Sequence, residues 1–233
     1  MIDKIASSVA EAIGPVKDGS TILVGGFGTA GIPDALIEGL IEQGGKDLTV
    51  VANNAGNGYT GLARLLQQGT VRKIICSFPR QADSWVFDEL YRAGKLELEL
   101  VPQGNIAERC RAAGAGIGAF YTATGVGTPL GKGKEVRNIN GREYLLEYPI
   151  YGDIALIKAE KGDRWGNLTY RLAARNFGPV FATAAKRTVA SVHEIVELGA
   201  LDPEIIVTPG IYVKSIVNIP YVPTQPGGIK EEK

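Results

Sequence analysis

The stretch Thr21-Ile-Leu-Val-Gly-Gly-Phe-Gly-Thr-Ala-Gly-Ile-Pro33 decides the fold, because a β-rich run ends in a dense group of glycines and a proline opens the next element. It predicts a strand, a loop built for close approach, and a helix start. Gly25, Gly26, Gly28 and Gly31 lack a Cβ, so the backbone there is free to adopt positive φ and to bring bare N–H groups within hydrogen-bond distance of a ligand. Pro33 suits the first helical position, where its missing N–H would find no partner in any case.

Gly26-Phe27-Gly28-Thr29-Ala30-Gly31 also spells the G-x-G-x-x-G pattern of dinucleotide sites. Two features count against that reading. In dinucleotide sites the helix begins within the glycines and its N-terminus meets the pyrophosphate, whereas Pro33 sets the helix start after the last glycine. The next strand, Leu48-Thr-Val-Val-Ala, runs into Asn53 and Asn54, two amides where a ribose-binding acid is required. An NAD-dependent oxidoreductase is therefore a remote alternative. A glycine turn that serves packing alone stays open on this stretch by itself.

Around this segment, 233 residues with 45% apolar content suffice for one large α/β domain, read here as residues 1–218. Acidic and basic residues number 25 each, so there is no electrostatic footprint for nucleic acid and no polybasic membrane patch. Cys76 and Cys110 form no C-x-x-C pair and lie far in sequence from the single histidine, His193, which argues against a metal site or a Cys-His nucleophile. The amphipathic N-terminus has no secretory signal pattern, and no run approaches the ~20 apolar residues a membrane span needs. A soluble, cytoplasmic protein is expected.

Up to residue 118, expected strands at 21–24, 48–52, 73–77 and 96–101 alternate with expected helices at 33–40, 62–68, 82–93 and 106–113. That alternation predicts an open, mainly parallel sheet with flanking helices. Ligands bind such sheets beyond the carboxyl ends of the strands, where loops 25–31, 53–56, 78–81 and 102–105 fall. Residues 112–131 are rich in glycine and small side chains and read as irregular structure. Two β-like runs then flank Asn140-Gly141, a strong hairpin signal, placed as an insertion over about 132–150. Further strands are expected at 154–159, 167–170, 188–192, 205–207 and 212–217, and residues 219–233 read as a disordered tail.

No nucleophile stands beside a base and no cluster of ligands is evident. His193 reads as a surface or boundary residue rather than a general base, and Glu97 and Glu99, alternating with leucines, as a solvated strand face. The expected ligand edge instead offers Asn53, Asn54, Gln103 and the glycine loop. Such neutral donors suit stabilisation of a developing oxyanion in acyl chemistry. An asparagine pair after a strand is equally a polar turn, and the residues alone leave both readings open.

Six stretches, Asp18 to Pro33, Asn53-Asn-Ala-Gly56, Val101-Pro-Gln-Gly104 with Ala107-Glu-Arg109, Gly125-Val-Gly-Thr128, Gly166-Asn-Leu-Thr-Tyr170 and Ala174-Arg-Asn-Phe177, together resemble the A (alpha) subunits of the family I coenzyme A transferases. They run in the family's order to about Val217. Cys76-Ser-Phe-Pro-Arg-Gln81 and the helix after it resemble the members that act on 3-oxoadipate. The resemblance implies a sheet like that of ribose-5-phosphate isomerases and a half-enzyme working with a B (beta) subunit, commonly as α2β2. It implies CoA transfer from succinyl-CoA to 3-oxoadipate, with acetoacetate or another 3-oxoacid as the alternative acceptor. The acylated glutamate would belong to the B subunit, which would explain the missing nucleophile.

Carried over by residue, Asn53 matches the oxyanion-stabilising amide and Gln103 a glutamine contacting the acyl substrate. Gly25, Gly26, Phe27, Gly28, Thr29, Ala30 and Gly31 match the segment assigned to CoA, which is a substrate here; no permanently bound cofactor and no metal are implied. Because 3-oxoadipate keeps a distal carboxylate, and a buried carboxylate calls for a forked cation, Arg80 is a candidate partner for it. A pentose-phosphate isomerase or sensor on a similar sheet is a further alternative.

Overall fold

Alternating side chains along strands buried on both faces divide the core into two layers. The computed structural model describes residues 2–221. In chain order its elements are α1 (Val9–Ile13), β1 (Thr21–Val24), α2 (Asp34–Gln43), β2 (Leu48–Val51), α3 (Gly61–Gln67), β3 (Val71–Cys76), α4 (Trp85–Arg92), β4 (Glu97–Leu100), α5 (Gln103–Ala115), β5 (Phe120–Thr122), β6 (Val136–Ile139), β7 (Arg142–Glu147), β8 (Gly152–Asp163), β9 (Leu168–Thr169), α6 (Gly178–Ala184), β10 (Ala185–Val196) and β11 (Ser215–Asn218). The main sheet runs β11-β10-β8-β1-β2-β3-β4 with parallel pairing throughout, and β9 turns back antiparallel onto the end of β8.

Ile22, Val24, Val50, Ile74, Ile154 and Leu156 face one side and pack with Ile13 of α1, Leu36 and Leu40 of α2, Leu65 of α3 and Phe87 of α4. Leu23, Val51, Ile75, Ala155 and Ile157 face the other and pack with Ile106 and Cys110 of α5 and Phe181 of α6. The period of two assigns each residue to its layer, and a parallel sheet needs both faces covered. Full burial of each Leu, Ile or Phe contributes about 1.5–3 kcal/mol before entropy is counted.

Local chemistry sets several boundaries. Ser8 caps α1 by accepting the Glu11 N–H at 3.1 Å, while the Glu11 carboxylate accepts the Ser7 N–H at 2.7 Å, a variant of the capping box. Pro33 is the N-cap of α2 rather than its first helical residue. Its ψ of 61° is non-helical, and its carbonyl accepts the N–H groups of Leu36 and Ile37. The expected hairpin is present as β6 and β7, with Asn140 and Gly141 both at positive φ, as a type I′ turn requires.

Other expectations are corrected. Residues 102–105 are not a loop: Pro102 caps α5, which begins at Gln103 and carries Gly104 in a first turn whose N–H groups are unpaired in any helix. The stretch 112–131 is only partly irregular, because β5 pairs with β7 and makes the hairpin a three-stranded sheet. Instead of a strand at 205–207, Asp202 caps a short turn over Pro203–Ile205 by accepting the Glu204 N–H at 3.0 Å. Tyr212 lies in another turn, so the last strand begins at Ser215. Helix α6, with Pro179 in its first turn, was not expected from the sequence.

Glu97 is exposed as expected, but Glu99 is half-buried, bonded to Lys73 at 2.7 Å and Arg109 at 3.0 Å. His193 is half-buried, its Nδ1 3.1 Å from the Ile219 carbonyl. Of the tail expected from residue 219, residues 222–233 lie outside the described residues; the Ile219 N–H donates to Val192 at 2.8 Å. No helix among the described residues is long and apolar enough to cross a membrane.

Candidate active site at the strand ends

Strands β1 to β4 lie side by side, so the segments leaving their carboxyl ends converge. They enclose a cavity of about 450 Å³ lined by Phe27 and Gly28 after β1, Asn53 after β2, Ser77, Phe78 and Gln81 after β3, and Gln103 at the start of α5. Sheet order reverses between β8 and β1, the position where open α/β sheets bind ligands. Among the described residues, no carboxylate, histidine, cysteine or lysine lines this cavity. It offers hydrogen-bond donors and two aromatic faces, with Phe27 46% and Phe78 61% exposed.

The glycine loop is held rather than bare. The Gly25 N–H still bonds Leu156 of β8 at 2.9 Å, and Gly25 has no positive φ. Phe27 and Ala30 exchange both main-chain bonds, at 3.0 and 2.9 Å, across a tight turn in which Gly28 has φ 58°. Asn176, 150 residues away in sequence from Gly26, closes the rest: its Oδ1 accepts the Gly26 N–H at 3.0 Å and its Nδ2 donates to Ala30 at 3.1 Å. Only the N–H groups of Gly28, Thr29 and Gly31 lack a partner among the described residues, and the first lines the cavity.

The two asparagines divide their tasks. Asn54 is structural: its Oδ1 accepts the Gly56 N–H at 2.9 Å, an Asx turn, and its Nδ2 reaches the Gly28 carbonyl at 3.5 Å. Asn53 is 5% exposed, its carbonyl accepts the N–H groups of Ser77 and Phe78 at 3.1 Å each, and its Oδ1 lies 3.0 Å from the Ser77 hydroxyl. Its Nδ2 donates to no group among the described residues and is not a buried orphan. Of the two asparagines, only Asn53 therefore offers an amide donor to this cavity, beside the amides of Gln81 and Gln103, a geometry suited to an oxygen that gains negative charge.

Gln103 lines the same cavity and, with Phe27, a neighbouring one of about 250 Å³ bordered by Asn176 and Phe177. Arg80 lies beside the site but does not line it; its Nε bonds Asp88 of α4 at 2.6 Å. Its sequence neighbour Gln81 does line the cavity, and also a smaller one of about 160 Å³ that contains Asp34. Burial raises the Asp34 carboxyl, opposed by the charge of Lys158. Sequence reasoning placed Phe78 only within the ligand-edge loop 78–81 and gave no role to Ser77 or Asn176. The register of β2 on β3, Val51 opposite Ile75, would have brought Ser77 to Asn53; Asn176 lies in a stretch that resembles the family, but nothing local to it indicates which loop it closes.

Residues 6–218 match the family described as coenzyme A transferase. The chain is 65% identical to the A subunit of the Pseudomonas putida 3-oxoadipate CoA-transferase, over 94% of this chain and 95% of that protein. It is 50% identical to the A subunit of the Xanthomonas campestris pv. campestris succinyl-CoA:3-ketoacid coenzyme A transferase, over 92% and 88%. Among solved structures, an acyl-CoA transferase from Escherichia coli O157:H7 superposes with a TM-score of 0.81 at 24% identity; the match covers 93% of this chain and 47% of that longer one, and speaks to fold alone. With a family match over nearly its whole length and a sheet whose strand ends present amide donors, this chain belongs to the coenzyme A transferases.

Proposed function

We propose that this protein is the A subunit of an enzyme that moves CoA from succinyl-CoA to 3-oxoadipate, giving succinate and 3-oxoadipyl-CoA, and that it acts only with a B subunit. The observation that carries the reading is a cavity with preorganised donors and, among the described residues, no carboxylate, histidine, cysteine or lysine in its lining. The 65% identity to a 3-oxoadipate enzyme, against 50% to a 3-ketoacid enzyme, supports the acceptor. Assembly as α2β2 and a cytoplasmic location belong to the same proposal, with the CoA thioester as substrate rather than resident cofactor.

In this mechanism the B subunit supplies a glutamate that attacks the thioester carbonyl carbon. A C–O bond forms, the carbonyl π pair moves onto oxygen, and Asn53 Nδ2 donates to that oxygen. The C–S bond then breaks, and CoA leaves as a thiolate that attacks the acylated glutamate, releasing succinate and leaving a glutamyl-CoA thioester; the acceptor carboxylate reverses the sequence. Gln103 contacts the acyl group. Residues Gly25 to Gly31 bind CoA, with the N–H groups of Gly28, Thr29 and Gly31 as the available donors. Arg80 reads the distal carboxylate of 3-oxoadipate after leaving Asp88.

CoA transfer from succinyl-CoA to 3-oxoadipate and to acetoacetate tests the reading, with the chain alone and mixed with its B subunit. Activity in the mixture only, favouring 3-oxoadipate, is expected; preference for acetoacetate would keep the mechanism and overturn the acceptor. Asn53→Ala is expected to lower kcat about 10²–10³-fold. Arg80→Ala is expected to narrow the kcat/KM preference for 3-oxoadipate over acetoacetate, and an unchanged ratio removes Arg80 from the proposal.

A further inference from the structure

We propose that Ser77 is a positioning residue for Asn53: its hydroxyl holds the amide with oxygen turned inward, so that Nδ2 is the group presented to the cavity. The inference rests on the oxyanion reading of Asn53 and concerns what makes that reading work. The terminal torsion of an asparagine is broad, and its C=O and NH2 ends are nearly equal in size. An unanchored amide would present an acceptor as readily as a donor. Turned the wrong way, its oxygen would face the developing oxyanion and oppose it.

Four contacts at Asn53 fix the choice. The backbone carbonyl of Asn53 already accepts two main-chain N–H groups, from Ser77 and Phe78 at 3.1 Å each, which occupies both of its lone pairs. The Ser77 hydroxyl lies 3.0 Å from that carbonyl and 3.0 Å from Asn53 Oδ1, so its single proton is better used on Oδ1. Asn54 does not take over the donor role, because its amide is turned to Gly56 and Gly28 and it does not line this cavity. The pair follows from the register of β2 on β3: with Val51 opposite Ile75 and Asn54 bridging to Phe78, Asn53 stands beside Ser77. Two strand ends thus supply a donor and the group that aims it.

The test is CoA transfer by the complex of this chain with its B subunit, for Ser77→Ala, Ser77→Thr, Ser77→Val, Asn53→Ala and the double variant Ser77→Ala/Asn53→Ala. Ser77→Ala is expected to lower kcat about 10-fold, less than deletion of the donor itself, with KM for the thioester little changed. Ser77→Thr restores the rate, and its near-isostere Ser77→Val does not, which keeps the comparison valid should alanine loosen the fold. In the Asn53→Ala background, Ser77→Ala is expected to add no further loss. A wild-type kcat for Ser77→Ala and Ser77→Val, or a Ser77→Ala loss that persists undiminished in that background, overturns the positioning role while leaving Asn53 intact. An unchanged kcat for Asn53→Ala overturns the oxyanion reading itself, and the role of Ser77 falls with it.

Discussion

Gly28 and Gly31 both adopt positive φ, yet their surroundings differ. A Cβ at Gly28 would meet nothing within 4 Å, whereas one at Gly31 would sit 2.5 Å from the main-chain carbonyl of Ala174. Gly28→Ala should cost only the left-handed backbone penalty, about 1–2 kcal/mol. Gly31→Ala adds a clash with backbone that no rotamer relieves, and should cost more, about 3 kcal/mol, as well as pushing the Asn176 clamp off the loop. Thermal unfolding of the two variants ranks them, and equal losses would show that the clamp gives way freely. The cysteines test a different property. Burial pushes the Cys76 and Cys110 thiols each up to about 12, and only the thiolate is nucleophilic. Neither should react with a water-soluble disulfide reagent at neutral pH until the protein is unfolded; rapid reaction of either would reveal local opening.

At the scale of elements, the three-stranded sheet is anchored through one carboxylate. Glu147 of β7, its side chain 3% exposed, bonds Lys134, accepts from Asn105 of α5 at 3.1 Å and lies 3.9 Å from Arg109. Glu147→Gln removes the charge that holds them and should cost about 1.5–3 kcal/mol. Amide exchange in β5, β6 and β7 is expected to accelerate while the parallel sheet stays protected; uniform acceleration would mean the two sheets unfold as one. Arg109 also ties α5 to β4 through Glu99. Burial opposes ionisation of Glu99, but the bonds and charges of Lys73 and Arg109 outweigh it, so its carboxyl sits below the ordinary 4.5. A lowered folded-state pKa means its stabilisation is complete above 4.5 and is lost as pH falls from there through the folded value. Melting temperature should therefore drop in that acid range less steeply for Glu99→Gln than for the parent. The parallel strands were legible because burial on both faces makes them short, continuous β-branched and apolar runs. The start of helix α5 is hidden in the sequence because Pro102 and Gly104, on either side of Gln103, are turn residues locally, and only the packing of Ile106 and Cys110 reveals the helix. Glu99 reads as solvated because its partners come from β3 and α5, which no alternation along β4 could indicate.

Across the whole molecule, the strand ends expose more apolar surface than an isolated soluble chain comfortably shows. Phe27 and Phe78 line the cavity, and Leu172, on the segment that clamps the glycine loop, is 80% exposed and held at φ 49°, a strained backbone for a leucine. The chain without its partner should self-associate as concentration rises and resolve into one defined complex when the B subunit is added. Light scattering behind size exclusion measures this; a lone chain that stays monodisperse at every concentration would remove this rim as a docking face. The location of the site at adjoining strand ends was legible from the order of strands and loops, whereas the closure by Asn176 was not, since the contact spans 150 positions. The alternation that sorts Ile22 and Val24 from Leu23 has a genetic consequence. Deleting or inserting one codon inside β1, β8 or β10 would exchange the two layers downstream of it and set side chains shaped for one helix layer against the other. Descendants of this gene can therefore vary the letters of those strands but not their count, and changes of length must collect where the chain is exposed, as around the hairpin turn at residues 138–141.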